Sequence, residues 1–377
     1  MILSPSFSNK KIVLLAAALI GLAGCSAAAP PLEDLNKTPP VRTGEFTAAA
    51  LPINNLSGRP APLEGIRKRL TDSLRAEGLN LIEDQALEAF VVKHRLRYSG
   101  GITRATAEAL RKETGAGAVL ITSLDLYKTN PPPKIALFSR LVSTGDKLPV
   151  LWSGTVGMSG DDAPGLLGLS LVRNPAILLE KAIQHLSKSL AGHLADQSGI
   201  AAPAGKTPPF WPKEFYRSAV MSPDMRYRVA VVPFFNISVR PNAGDIMMLH
   251  FAAHLSAFGN FDIIEAGEVR QALLNLRIVM DDGVSLANAD VIFSRLNADL
   301  ILTGKVLEYQ DVEGNVAEPK VDFSALLIEK KSREVVWSSR NYNEGGEQVR
   351  FFGWGRQNTA HSLASAMVRN AVGLIFK

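Results

Sequence analysis

The sequence predicts an α/β protein made of two tandem homologous three-layer domains, each a mixed sheet in the order β-α-β-α-α-β-β-β-α. Three observations predict it. Short apolar runs alternate with stretches of helical periodicity across residues 44–377. The pattern of the first half returns after about 180 residues, the size of a repeated domain and not of a solenoid unit. A Pro- and Ala-rich stretch, 197–225, separates the copies and places the domains at 44–196 and 226–377.

Each copy opens on an apolar strand, 47–53 or 228–234, ended by Pro and an Asn-containing turn. A helix follows: in the first copy Leu63, Ile66, Leu70 and Leu74 recur at helical spacing, and Gly78 stops it ahead of a short strand at 79–83. Two further helical stretches lead to strongly apolar strands at 118–126 and 300–307. Alternating patterns then predict paired strands, 134–142 with 150–156 and 321–329 with 334–340. An amphipathic helix closes each copy through Leu179, Ile183, Leu186 and Leu190, or through Leu363, Met367 and Ala371.

The duplication is legible residue by residue. Leu51-Pro52-Ile53-Asn54-Asn55-Leu56-Ser57 answers Val232-Pro233-Phe234-Phe235-Asn236-Ile237-Ser238, and Leu81-Ile82-Glu83 answers Ile263-Ile264-Glu265. The run Gly115 to Thr122 answers Leu296 to Thr303, offset by one position at its start, and Val150-Leu151-Trp152-Ser153 answers Val335-Val336-Trp337-Ser338. The recurring Asn55 and Asn236 read as side-chain caps of a turn, and Trp152 and Trp337 as core. Phe210, Trp211 and Phe215 interrupt the linker, and apolar rings there are expected to dock in a groove between the domains.

A strand ending Val232-Pro233-Phe234-Phe235-Asn236-Ile237-Ser238, another opened by Asn297-Ala298-Asp299-Leu300-Ile301-Leu302-Thr303-Gly304, and a late Glu334-Val335-Val336-Trp337-Ser338 together resemble the amino-terminal domain of TolB. The pattern is also similar to the periplasmic domains of CsgG-type and LpoB-type envelope lipoproteins. The resemblance covers nearly all of both halves and is closer in the second. It implies the fold above and a role in the cell envelope; strand patterns specify fold more than function.

The amino terminus points to the same compartment. Lys10 and Lys11 precede an apolar run, 12–22, and then Leu22-Ala23-Gly24-Cys25, the order of a secretory signal ending in a lipobox. The run is shorter than the roughly 20 residues a membrane span needs. Residues 1–24 therefore read as a signal peptide, Cys25 as the lipidated residue, and 25–43, with Pro30, Pro31, Pro39 and Pro40, as a flexible tether. The residue after Cys25 is Ser26 and not Asp, which resembles the pattern of lipoproteins sorted to the outer membrane. Cys25 is the one cysteine in the chain, so no disulfide is expected to support the fold.

Charge argues against nucleic acid as a partner. Removing Lys10 and Lys11 takes the net charge from +5 to +3, without the concentrated basic face that gripping nucleic acid requires. The small excess lies in the first half, where Arg67, Lys68, Arg69 and Arg75 read as a solvated helix face.

Catalytic patterns are scarce. His250 and His254 stand at i and i+4 on a predicted helix, a spacing that can share a metal, but no Glu adjoins them and the first half does not repeat the pair. Packing is their expected role, and no metal is assigned. No Gly-x-Ser-x-Gly elbow occurs. Gly353-Trp354-Gly355-Arg356 reads as a turn ahead of the closing helix, not a phosphate cradle. Phe351, Phe352, Trp354 and Arg356 are candidates for partner binding, because clustered aromatics with an Arg on a loop have the composition of an interface anchor, with core packing as the other reading.

The expectation is a lipid-anchored, non-enzymatic protein without a cofactor, on the periplasmic face of the outer membrane, binding other envelope proteins. A ring-forming CsgG-like export subunit, and hence a homo-oligomer, is the alternative. An envelope hydrolase using His250 or His254 is the second alternative. A pore would need long alternating hairpin strands, whereas 155–172 and 341–359 are glycine-rich and poorly alternating.

Overall fold

From β1 (Ala48–Ala50) and β2 (Asn54–Asn55) the chain passes through helices α1 (Leu63–Ala76), α2 (Asp84–Lys93) and α3 (Arg104–Thr114). It then runs antiparallel along β3 (Ala118–Lys128), β4 (Lys134–Ser143) and β5 (Val150–Ser159) and closes on α4 (Pro175–Ala195). These elements come from a computed structural model that describes residues 47–162, 171–195, 210–277, 284–311, 318–347, 349 and 355–376. Because β1 pairs parallel to β3, the chain must cross over between them, and the three helices supply that crossover.

The second half adds a leading strand, β6 (Glu214–Arg217), and then repeats the order. It contains β7 (Tyr227–Val231), β8 (Phe235–Asn236), α5 (Ala243–Ser256), β9 (Phe261–Ile263), α6 (Ala266–Asn275) and α7 (Leu286–Leu296). It ends with β10 (Leu300–Gln310), β11 (Lys320–Glu329), β12 (Val335–Glu344) and α8 (Ala360–Val372). The spatial orders are β1-β3-β4-β5 and β6-β12-β11-β10-β7-β9, with β2 and β8 alongside β3 and β10. Even the irregularities recur. Register shifts fall at Leu124/Leu126 and Leu141/Val142 in the first sheet, and at Val306/Glu308 and Leu327/Ile328 in the second. Helices α3 and α7 are both capped by a hydroxyl, from Thr103 or Ser285, which accepts from a backbone N–H of the first turn.

Each half has helices on both faces of its sheet, as the predicted three layers require. In the first half, Leu70 of α1 and Ile183 of α4 pack over Leu120, Leu137 and Trp152, while Leu87 and Leu110 of α2 and α3 cover Val119 and Ile121 on the other face. In the second, α5 and α8 pack over Leu302, Phe323 and Trp337, and Val269 and Ile292 of α6 and α7 cover Ala230 and Ile301.

The halves are not equivalent in what they leave exposed. Helix α1 presents a charged outer face, whereas α5 buries residues around its circumference, from Ile246 and Met247 to His250 and Phe251. The reason is position: α5 and α8 lie between the two sheets, and the core they build includes Leu56 and Phe138 of the first half. Both halves accordingly fall within one compact unit, Pro39–Lys377.

Two expectations need correction. The strand predicted at 79–83 is a single bridge from Leu81 to Ala48, although its counterpart β9 pairs over three residues. Ala48 is the first residue of β1 and stands alone opposite Leu81, whereas β7 begins at Tyr227 and gives β9 a partner along its length. The stretch read as linker, 197–225, contains β6, which pairs antiparallel with β12, and Phe210 just before it is fully buried in the second core. Trp211 and Phe215, expected to dock, are 47% and 57% exposed.

Candidate functional site

The polar residues that sequence reasoning passed over gather at the seam between the halves. Arg140 sits mid-way along β4, on the face that carries Phe138 and turns toward α5. Its Nη2 donates to Glu265 Oε1 at 2.7 Å and to the Gly100 carbonyl at 2.9 Å, and its Nε donates to Glu265 Oε2 at 3.0 Å. Glu265 is the N-cap residue of α6, and the same Oε1 also accepts from Ile102 N–H at 3.2 Å. Both side chains are nearly inaccessible, at 6% and 1%. Burial works against the guanidinium's charge, but Glu265 outweighs it and holds Arg140 above its ordinary value.

The rest of this end of the seam follows the same logic. Arg104 N–H donates to Glu268 Oε1 at 2.6 Å, and Arg270 stacks 4.3 Å from the Tyr98 ring. Burial raises the Tyr98 phenol above its usual range. A cavity beside Arg140 and Glu265, bounded by Phe138, Met248, Ala252 and Ile263, holds about 20 Å³. That is room for a water and far below the several hundred Å³ of a metabolite pocket.

Two turns lock the middle. The Asn55 side chain accepts from Ser57 N–H at 3.0 Å and donates to the Arg59 carbonyl at 2.8 Å; Asn236 repeats both bonds with Ser238 and Arg240, at 3.1 and 2.7 Å. The capping role read from the sequence is therefore what these residues perform. Arg240 also donates across the seam to the carbonyls of Ser57 and Asp125, and Asn242 donates to the Leu56 carbonyl at 3.3 Å.

At the far end, His361 of α8 lies between Thr155 of β5 and Asp125 of β3. Its Nε2 hydrogen-bonds Thr155 Oγ1, and its Nδ1 is 3.1 Å from Asp125 Oδ2, a contact not aligned as a hydrogen bond. Ser123 Oγ donates to the other Asp125 oxygen at 2.6 Å. Hydroxyl, imidazole and carboxylate thus stand in the order used by nucleophilic enzymes. Space decides what they do here. A Cβ at Gly157 would lie 2.8 Å from Thr359 Oγ1 and 3.0 Å from His361 Cδ2, so at this point α8 rests directly on β5. Lys134 Nζ to the Asn358 carbonyl, at 2.8 Å, and Asn358 to Asp162, at 2.9 Å, close the same edge.

The sequence-predicted histidines join this packing. His250 is 1% exposed, with its ring centroid 4.5 Å from that of His361 and neither ring nitrogen hydrogen-bonded. Burial first, and the neighbouring imidazoles second, push its protonation well below the ordinary range. His254 meets Ser365 Oγ at 3.0 Å, and burial with Arg369 nearby pushes it down to about 3. Among the described residues no group of three or more His, Cys, Asp or Glu side chains is placed to hold a metal.

Of the partner-binding candidates, Phe351, Phe352 and Trp354 lie outside the described residues, as do Cys25, the signal peptide and the tether. Arg356 is described: its Nη2 is 3.4 Å from Glu318 Oε1, so its charge is engaged by the residue that leads into β11. Among the described residues, Trp211, Phe215, Tyr216, Val220 and Met225 are exposed apolar side chains within the short stretch that holds β6. One hint of the seam is legible in the sequence. Arg140 places a charge in the interior of a buried strand at a position where the second copy has Leu326.

No protein family and no curated protein matches the chain. Among solved structures it is similar to the PelC dodecamer from Paraburkholderia phytofirmans, with 20% identity over 44% of this chain and 98% of that one, at a TM-score of 0.30. It is also similar to the LpoB C-terminal domain from Salmonella enterica, with 23% identity over 31% of this chain and 84% of that one, at 0.27. A third likeness is to lipoprotein GNA1162 from Neisseria meningitidis, with 19% identity over 38% and 99%, also at 0.27. In each case less than half of this chain spans most of the other.

Proposed function

We propose that the chain is a lipid-anchored protein of the cell envelope that works by binding other envelope proteins, and that it is not an enzyme. The observation that carries the reading is the order Lys10-Lys11, apolar run 12–22, Leu22-Ala23-Gly24-Cys25, with no second cysteine in the chain. A diacylglycerol thioether on Cys25 and an acyl chain on its new amine supply the two or more chains that stable anchoring needs. Ser26 at the following position supports the outer membrane, periplasmic face, as the destination.

The seam supports a binding role over a catalytic one. Arg140 and Glu265 are engaged with each other, and Arg240 with backbone carbonyls of the other half. Mass spectrometry of natively produced protein tests the anchor. Loss of residues 1–24 with acyl mass on Cys25 is the expected result; an unprocessed start or a free thiol overturns it.

A further inference from the structure

Strand β6 forms one edge of the second sheet, and all four of its residues are exposed, Phe215 at 57% and Tyr216 at 52%. Natural sheets blunt such edges with charge, proline or a covering element. Here the edge carries two aromatic rings between Glu214 and Arg217, with Trp211, Val220 and Met225 exposed beside them. Among the described residues, the first half has no counterpart strand on β5.

The backbone at this edge has a defined phase. Ser218 N–H donates to the Val336 carbonyl at 2.8 Å, pointing into the sheet. Backbone groups alternate along a strand, so those of Tyr216 also point inward and those of Phe215 and Arg217 point outward. An added antiparallel strand must pair its own outward residues with these two.

We propose that the β6 edge is a two-fold interface between two copies of this chain, with the strands antiparallel and Tyr216 on the axis. A two-fold interface must be self-complementary, and the four registers centred within β6 keep the backbone phase; centring on Glu214 sets that carboxylate against its own copy. Centring on Arg217 sets it against its own copy, and like charges directly opposite are destabilising; centring on Phe215 sets Arg217 against the like-charged Lys213, whose N–H is already committed inward to the Arg340 carbonyl at 2.9 Å. Centring on Tyr216 avoids all three. It places each Arg217 across from a Phe215 ring, a cation–π arrangement made twice, and Glu214 across from Ser218. The pairing of β6 with Ser338 and Arg340 puts Tyr216 on the same face as the exposed Tyr342, so the two Tyr216 rings meet on that face of a sheet that continues through both copies.

The register makes a test that a vague sticky edge would not pass. At the axis the two Tyr216 Cα atoms stand about 4.5 Å apart, within reach of a disulfide. The two Glu214 Cα atoms stand about 14 Å apart, out of reach. The experiment compares the detergent-solubilised full chain with its Tyr216→Cys and Glu214→Cys variants under mild oxidation, with the unmodified sequence as baseline for Cys25. Sedimentation gives the mass, and circular dichroism confirms that each variant folds. The expected result is a concentration-dependent dimer, linked covalently in Tyr216→Cys and not in Glu214→Cys, with Tyr216→Lys weakening it about tenfold. A monomer throughout, crosslinking by Glu214→Cys that equals or exceeds that by Tyr216→Cys, or a larger assembly indifferent to Tyr216→Lys overturns the proposal. Binding of a different envelope protein at this edge by a monomeric chain overturns it equally.

Discussion

Arg140 of the first half and Glu265 of the second meet in a two-pronged ion pair, with bonds of 2.7 and 3.0 Å, in a place where almost no water reaches. The pair joins a β-strand to the start of a helix made 125 residues later. It ties together two sheets whose backbone hydrogen-bond ladders are otherwise separate.

Removing one member strands the other. Arg140→Leu copies the residue found at the matching position, Leu326, but leaves the Glu265 carboxylate buried without its cation. Its expected cost is about 3–5 kcal/mol of unfolding free energy. Combining it with Glu265→Leu recovers part of that loss, because an apolar pair needs no desolvated charge. Urea unfolding of the two single variants and the double variant, read as a cycle, measures both effects.

Acid weakens the fold through the buried imidazoles. The folded-state value of His254 is about 3, against about 6.5 for an unfolded histidine. The unfolded chain therefore binds the extra proton first as pH falls. The contribution is complete above pH 6.5 and declines as pH drops through 6.5 toward 3, by roughly 2 kcal/mol between pH 7 and pH 5. His250, pushed down in the same direction, adds to the decline. His254→Gln is expected to flatten the curve of urea midpoint against pH; an unchanged slope would show that other groups dominate.

Gly157 measures how tightly α8 rests on β5. Gly157→Val inserts a side chain where even a Cβ would lie 2.8 Å from Thr359 Oγ1. The expected cost is about 1–3 kcal/mol, with the seam and not the individual sheets opening first. Limited proteolysis at increasing urea should cut at the boundary of α8 before it cuts β3 or β4.

On the proposed reading, placement in the cell rests on two adjacent residues. Cys25→Ala is expected to abolish acylation and release the protein from washed membranes. Ser26→Asp is expected to keep it acylated but move it to the inner-membrane fraction. Gradient fractionation of the two variants separates anchoring from sorting.

The elements that periodicity foretold are those whose strand pairing is set within one half. β4, β5, β11 and β12 appear within a few residues of their predicted ends, because each pairs along its length with a strand next to it in the same copy. The turn residues Asn55 and Asn236 were legible for the same local reason. What stayed hidden depends on distant partners. Leu81-Ile82-Glu83 and Ile263-Ile264-Glu265 look alike, yet one makes a lone bridge and the other a strand, since pairing depends on where β1 and β7 begin. β6 is too short, and too close to prolines, to announce itself until β12 is there to receive it. Arg140 could be flagged as anomalous in its strand, but no local rule names Glu265 as its partner.

Helix α5 has apolar residues around its circumference because it fills the space between two sheets. That has a consequence for biogenesis. On the export route proposed above, the amino-terminal half emerges first, with Phe138 and Arg140 bare on β4 until the polypeptide that covers them has also been delivered. During that interval the nascent chain displays an adhesive surface, and a truncated product ending near residue 196 would keep it permanently. Quality control in the envelope therefore has a defined target: fragments that stop before α5, and not the finished molecule, are the substrates expected for periplasmic holdases and proteases.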